Sequence, residues 1–168
     1  MIRPARGSDA DAIAAIYRSY VEHGTISFET VPPDAATIRD RMATGGGRYP
    51  WLVNEADGAV AGYAYASAWS PRQAYDRTVE TTIYLAPDAR GRGLGPRLYQ
   101  ALLDLLTERG FAQAIGRISL PNPSSEALHT ALGYREAGTL RAVGWKEGRW
   151  IDVAHWQRAL APAGAPPR

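Results

Sequence analysis

The 168-residue sequence contains no cysteine. Disulfides, thiolate nucleophiles and thiolate-bound metals are therefore excluded. Histidine is scarce as well: there are three, His23, His129 and His155. They have no metal-ligand spacing, so no metal is expected. No apolar run is long enough to span a bilayer. Met1-Ile2-Arg3-Pro4-Ala5-Arg6 leads into no apolar signal-peptide core. These absences fit a cytoplasmic home. Charge of one sign is lacking too. Nineteen Lys and Arg oppose 17 Asp and Glu, a net charge of only +2. A pI near 9.0 hints at anionic ligands, but the scattered basic residues form no stripe for nucleic acid. No internal repeat is present.

What remains is the composition of an ordinary soluble globule, 45% hydrophobic and 21% charged. A chain of this length buries about 70% of its unfolded surface and needs no covalent staple. The expectation is one domain over residues 1–160, followed by a disordered Ala/Pro-rich tail over 161–168.

One stretch organises the chain. Val79-Glu80-Thr81-Thr82-Ile83-Tyr84-Leu85 is rich in β-branched residues and predicts a strand ended by Pro87. Leu98, Leu102, Leu105 and Leu106 share one helical face, with Pro96 in the first turn and Gly110 as the stop. Between them lies Arg90-Gly91-Arg92-Gly93-Leu94-Gly95. A glycine-rich loop before a helix N-terminus binds anions. The first backbone N–H groups of a helix have no internal partner, and glycine lets a phosphate come close. Two arginines add full charge. The loop lacks the Lys-Ser/Thr of a nucleotide-triphosphate loop, and Pro96 stands where a dinucleotide fingerprint needs glycine. The plain alternative is a glycine-rich turn without a ligand.

Around this unit the sequence predicts the order β-α-α-β-β-β-α-β-α-β-β. Ser8-x-x-Asp11 is a candidate capping box for a first helix that Gly24 ends. Pro32 and Pro33 open a second helix, which Gly45-Gly46-Gly47 ends. Asp57-Gly58 is a hairpin turn. Asn122-Pro123 caps a late helix. Two closing strands flank the turn Lys146-Glu147-Gly148-Arg149. Strands separated by helices imply a mixed sheet with helices on both faces.

Several motifs then carry a resemblance. Arg90-x-x-Gly93-x-Gly95 resembles the coenzyme A pyrophosphate loop of the GNAT acyltransferases. Ala74-Tyr75-Asp76, Glu80 to Leu85, Leu120-Pro121-Asn122, Leu128-His129-x-Ala131-Leu132-Gly133-Tyr134 and Trp150-x-Asp152-Val153-x-x-Trp156-Gln157 are similar to the phosphinothricin and methionine sulfoximine N-acetyltransferase group. The resemblance covers nearly the whole chain except its tail. It implies the GNAT fold, with two central parallel strands splayed apart, and an acetyl group passed directly from acetyl-CoA to an amine in a ternary complex. It implies that Arg90, Gly91, Arg92, Gly93, Leu94 and Gly95 hold the pyrophosphate. The backbone of Ile83, Tyr84 and Leu85 would meet the pantetheine arm, and so would Asn122, which also reads as a plain N-cap. Relatives of this group are dimeric, so a homodimer is expected.

Such chemistry needs proton transfer, because free amines are mostly protonated at neutral pH. Glu80 shares a strand face with Thr82 and Tyr84. A carboxylate on a central strand is unusual, since burying charge is costly. It is either an ion-pair partner or, as the resemblance favours, the base. His129 is either a space-filling helix residue or the acid or base of the group. Arg72 and Tyr75 lie on the loop from Trp69 and offer a guanidinium fork and a hydroxyl to an acceptor. Phe28 matches a family position against the substrate stem. Ser70 replaces a lysine of the herbicide-detoxifying members, so an anionic head should be held less well than a neutral polar one. The expected function is acetyl-CoA-dependent acetylation of a small amino-acid-like amine. The alternatives are a non-catalytic acyl-CoA-binding module and an enzyme acting on protein or polyamine amines.

Overall fold

Alternation along residues 78–85 turns Val79, Thr81, Ile83 and Leu85 to one side and Glu80, Thr82 and Tyr84 to the other. In the computed structural model, which describes residues 1–161, this stretch is a central strand, β4 (Thr78–Leu85). Ahead of it come β1 (Ile2–Pro4), α1 (Ala10–Glu22), α2 (Ala35–Ala43), β2 (Trp51–Ala56) and β3 (Ala59–Ala68). After it come α3 (Leu94–Glu108), β5 (Gln113–Ser119), α4 (Pro123–Ala131), β6 (Arg135–Lys146) and β7 (Arg149–Ala159). The element order is the expected one. The tail expected from Ala161 lies, beyond that residue, outside the described residues.

The strands form a seven-stranded sheet in the order β1-β2-β3-β4-β5-β7-β6. Only β4 and β5 run parallel, as a connecting helix requires. One face of the sheet is covered by α1 and α2, where Ile13, Ile16, Tyr17 and Ile38 pack on Val53, Tyr63 and Tyr84. The other is covered by α3 and α4. Leu98, Leu102, Leu103 and Leu106 are fully buried there against Ala64, Ala66 and Val79. Each such leucine contributes about 1.5–3 kcal/mol.

Local chemistry sets the boundaries. The expected box at Ser8 and Asp11 does not form. Asp9 takes its place, accepting the Arg6 N–H at 2.7 Å and both Arg3 Nη groups at 2.8 and 2.9 Å. That guanidinium holds the Asp9 carboxyl below its usual range. Helix α2 starts after Asp34, whose carboxylate accepts the Thr37 N–H at 2.8 Å, so the two prolines precede the cap. Asp57 and Gly58 take φ of 52° and 77°, the left-handed pair a two-residue hairpin needs. Glu147 and Gly148 do the same at 52° and 71°, a tighter turn than the four residues expected.

One irregularity positions everything that follows. β4 pairs with β5 only from Thr78–Gln113 to Glu80–Ile115, although both strands continue. Beyond Glu80 each strand keeps its outer partner. β4 stays with β3 as far as Leu85–Gly62, and β5 stays with β7 as far as Ser119–Val153. The two halves of the sheet part, and a gap opens between them.

Candidate active site

Strand parity decides which backbone groups enter the gap. The Ala86 N–H bonds to Ala61 O at 2.9 Å, so the groups of Tyr84 and Thr82 also point to β3. Those of Thr81, Ile83 and Leu85 point the other way, into the gap. Tyr20 meets Leu85 there: its hydroxyl accepts the Leu85 N–H at 3.2 Å and donates to the Leu85 carbonyl at 2.7 Å. Of the three residues expected to present backbone to the pantetheine arm, Ile83 and Leu85 turn theirs into the gap, and Tyr20 holds both groups of Leu85. Tyr84 lines the same space, but its backbone is turned to β3.

The gap widens into a cleft of about 530 Å³. Its walls include Tyr20, Ile83, Tyr84 and Leu85 on one side and Asn122, Ser125 and Leu128 of the α4 segment on the other. Arg90, Gly91, Gly93, Leu94 and Gly95 close its end. Gly91 and Gly93 both have φ of 72°, a conformation that disfavours any side chain. Gly93 is the residue before α3, so the unpaired N–H groups of the first turn stand at the cleft. The Arg90 guanidinium lies 4.8 Å from the Tyr20 ring centre, an arrangement in which the ring face attracts the cation. Arg92 stands apart, 3.8 Å from Asp57 on the β2–β3 turn. Orphan donors, glycines in the left-handed region and one close arginine fit a pyrophosphate. A neutral polar ligand would leave that positive field unused.

Asn122 is the N-cap of α4: its side-chain oxygen accepts the Ser125 N–H at 3.2 Å. It also lines the cleft and a smaller recess of about 60 Å³. Thr81, Thr82, Arg117, Ser119, Tyr99 and His129 border that recess. Behind it is a buried polar network. The Thr81 hydroxyl is 2.7 Å from the Tyr134 hydroxyl and 2.9 Å from that of Tyr99. Tyr99 is in turn 3.2 Å from His129 Nε2. His129 is 4% exposed. Its Nδ1 lies 2.8 Å from the Ser125 carbonyl, which can only accept, so Nδ1 carries the hydrogen and Nε2 accepts. Burial lowers the pKa of His129. The ring is therefore neutral at physiological pH. An acid role would require the imidazolium, which burial disfavours, whereas an acceptor role at Nε2 needs no change.

Glu80 sits on the α1–α2 face, where Ser67 and Ile115 flank it across the sheet. Its Oε1 receives Arg117 Nε at 2.8 Å and Nη2 at 2.7 Å. An ion-pair partner is thus present, and Oε2 accepts nothing from the described residues. The Trp69 ring reaches over β4 and β5 to His155 on β7, at 5.9 Å and nearly edge-on. That contact walls the face on which Glu80 and Arg117 lie. Tyr75 ends a short turn that begins at Gln73, and both Tyr75 and Arg72 are exposed. Among the described residues the Arg72 guanidinium has no hydrogen-bond or ion-pair partner. Neither residue borders the cleft or the recess. Phe28 packs on Gly144 of β6 so closely that a Cβ there would lie 2.2 Å from its ring. Ile26, from the same loop, borders both cavities.

That loop is tied to the β6–β7 turn. Lys146 Nζ donates to the carbonyls of Val21 at 2.7 Å and Ser27 at 2.8 Å. Glu147 accepts the Gly24 N–H at 2.7 Å, and Arg149 reaches the Thr25 hydroxyl at 3.2 Å. Tyr20, Tyr99, Thr81 and Arg117 were not among the sequence candidates. Tyr20 and Tyr99 are buried residues of α1 and α3. Gly116 was missed as well. A Cβ there would meet His129 Nε2 at 2.5 Å. A glycine inside a strand is the signal that could have found it.

Known proteins resemble this arrangement throughout. The phosphinothricin N-acetyltransferase of Streptomyces viridochromogenes is 46% identical over 167 residues, 99% of this chain and 91% of that one. The L-methionine sulfoximine/L-methionine sulfone acetyltransferase of Pseudomonas aeruginosa is 36% identical over 170 residues, covering 99% and 98%. A crystal structure of a phosphinothricin acetyltransferase from Sinorhizobium meliloti, in complex with AcCoA, superposes with a TM-score of 0.96 at 43% identity, covering 100% of this chain and 92% of that one. The acetyltransferase (GNAT) domain family matches residues 2–156, and the chain belongs to that family.

Proposed function

We propose that this protein is an acetyl-CoA-dependent N-acetyltransferase that acetylates the amine of a small amino-acid-like substrate, of the phosphinothricin or methionine sulfoximine type. The observation that carries the reading is the early end of the β4–β5 pairing at Glu80–Ile115, which leaves the Ile83 and Leu85 backbone facing a cleft that ends at Gly91 and Gly93. The first turn of α3 and Arg90 hold the pyrophosphate, with Arg92 adding charge from outside. The Ile83 backbone takes the pantetheine arm, Leu85 lies beside it with its own groups bonded to Tyr20, and Asn122 borders it. When bound, acetyl-CoA supplies the activated acetyl group.

The chain's own residues then manage charge and protons. Glu80 accepts the proton that the attacking amine must lose, directly or through water. As the amine nitrogen bonds to the acetyl carbon, the carbon–sulfur bond breaks and the thiolate leaves. The Ile83 N–H is the donor best placed for the negative charge that grows on the acetyl oxygen. A preorganised donor of this kind supplies about 3 kcal/mol. His129 and Tyr99 border the recess where sulfur and acetyl would meet, with Nε2 ready to accept. Phe28, Arg72 and Tyr75 form the acceptor side.

No helix among the described residues is long and apolar enough to cross a membrane, and we place the enzyme in the cytoplasm. Trp145 and Trp150 are 59% and 62% exposed and lie ring to ring at 5.2 Å, with Leu140 and Val143 also exposed. Trp156 is buried instead. The exposed group supports a homodimer through the β6–β7 hairpin, which sedimentation would test.

Thiol release from acetyl-CoA tests the activity. The chain has no cysteine, so thiol produced comes from CoA. Release with phosphinothricin or methionine sulfoximine is expected. Binding of acetyl-CoA without release for any amine would leave only an acyl-CoA-binding module.

A further inference from the structure

Arg117 belongs to neither the pyrophosphate cradle nor the loop from Trp69, yet it stands at the centre of the site. It lies two residues past the last β4–β5 pair, where β5 has left β4. Its side chain crosses the gap back to Glu80. Both donors that reach Glu80, Nε and Nη2, go to the same oxygen, Oε1. This uses one edge of the guanidinium and leaves the edge formed by Nη1 and Nη2 open. The Arg117 side chain is 55% exposed and borders the recess, whereas that of Glu80 is 17% exposed. Pairing with Glu80, a carboxylate mostly withdrawn from water, accounts for one edge of the guanidinium. It gives no reason for the open edge.

The bonding of an α-amino acid supplies a reason. Its amine nitrogen and carboxylate carbon share one Cα and lie about 2.5 Å apart. Any site that brings the amine to Glu80 must therefore accommodate a carboxylate close beside it. The nearest cation is Arg117, and its open edge has the fork that two carboxylate oxygens match. We propose that Arg117 reads the α-carboxylate of the acceptor while Glu80 receives the amine. The pair would form a clamp for a zwitterion. This rests on the proposed acetyltransferase reading and narrows it: the acceptor class is α-amino acids with a free carboxylate. Arg72, further out on its loop, is left to the side-chain head.

The test compares methionine sulfoximine with its α-carboxamide in the parent, Arg117→Gln and Arg117→Lys. The readout is the ratio of kcat/KM for free acid over carboxamide. Any effect of Arg117 on Glu80 acts on both substrates and cancels in that ratio. The parent should favour the free acid by on the order of 10–100-fold, the range of a charge-assisted pair. Arg117→Gln should bring the ratio near one, mainly through KM for the free acid. Arg117→Lys should restore part of it, having charge without the fork. Acetyl-CoA affinity by calorimetry should stay the same in all three. If the parent acetylates both compounds and the ratio is unchanged in Arg117→Gln, the clamp is wrong and the acetyltransferase reading stands. If the parent acetylates neither compound nor any other amine, the clamp and the reading fall together.

Discussion

Gly116 and His129 meet with no room between them. A methyl group on Gly116 would stand 2.5 Å from His129 Nε2 and 2.8 Å from Cδ2. The imidazole thus lies directly on the β5 backbone, where β5 has left β4. The absence of a side chain at 116 is what lets Nε2 reach Tyr99.

Gly116→Ala should therefore displace the ring. Overpacking of this kind costs about 1–3 kcal/mol. The cleft at Arg90–Gly95 is built from other elements and should be spared. Acetyl-CoA affinity, measured by calorimetry on the folded variant, should change far less than kcat. If both fall together, the substitution has disturbed the sheet and not the histidine alone.

The buried imidazole also makes a prediction about pH. Burial lowers its pKa from the ordinary 6.5, so the folded protein refuses a proton that the unfolded chain accepts. Stability is then fully present above about pH 6.5. It declines as pH falls through that value toward the folded pKa, by up to about 1.4 kcal/mol per pH unit. His129→Gln removes this term. Its melting midpoint should drop less than the parent's between about pH 7 and about pH 5.5. Parallel drops would mean that His129 does not titrate differently on folding. The same neutral state bears on catalysis. The activity deficit of His129→Gln should persist at about pH 8.5. A deficit that vanishes there would point to an imidazolium acid.

Much of this was legible in the chain because the signals are local. Alternation marked β4, the leucine spacing marked the buried face of α3, and Asp57-Gly58 marked its hairpin. The glycines before α3 marked a left-handed loop, since positive φ at Gly91 and Gly93 is a property of single residues. The contacts that join elements were not legible. Arg117 and Glu80 are 37 residues apart and meet only because two strands diverge. Tyr20 bonds to Leu85 across 65 residues, and its place on the apolar face of α1 hides its polar use. His129 was legible as a residue of interest but not in its state, which burial and the Ser125 carbonyl decide.

Gly93 separates shape from charge in the cradle. No atom lies within 4 Å of a Cβ built there, so a small side chain meets no obstacle. The φ of 72° alone penalises Gly93→Ala, by about 1 kcal/mol. Gly93→Asp carries the same strain and adds a negative charge where the phosphates are proposed to lie. Both variants should fold. Calorimetry with acetyl-CoA should show a modest loss for Ala and a loss of on the order of tenfold or more for Asp. If Asp binds as tightly as Ala, the pyrophosphate lies elsewhere.

Glu80→Gln keeps shape and one hydrogen-bonding oxygen but removes basicity. It should lower kcat by on the order of 10²-fold, with acetyl-CoA affinity little changed. The variant also leaves Arg117 without its counter-ion. The pH–rate profile is therefore the sharper readout: the ascending limb that reports the base should disappear. An unaltered profile would assign the proton to water or to another group.

Arg72 is proposed to read the acceptor's head group. Its guanidinium is exposed and, among the described residues, without a hydrogen-bond or ion-pair partner, so its donors remain available. Tyr75, 44% exposed on the same loop, offers a hydroxyl beside it. The connection carrying both starts at Trp69, whose ring reaches His155 over the face that holds Glu80. A substrate bound at Glu80 would extend toward that loop. An anionic phosphinate would gain most from Arg72, and a neutral sulfoximine less. Ser70 leaves the loop without a second cation at that position. Methionine sulfoximine should therefore be acetylated with the higher kcat/KM, and phosphinothricin measurably but less well. Arg72→Ala should lower kcat/KM for phosphinothricin by on the order of tenfold and for methionine sulfoximine by much less. Equal losses for the two would mean that Arg72 shapes the loop without reading charge. If both compounds are refused while polyamines or peptide amines are acetylated, the small-acceptor assignment is wrong and the acetyltransferase assignment survives it.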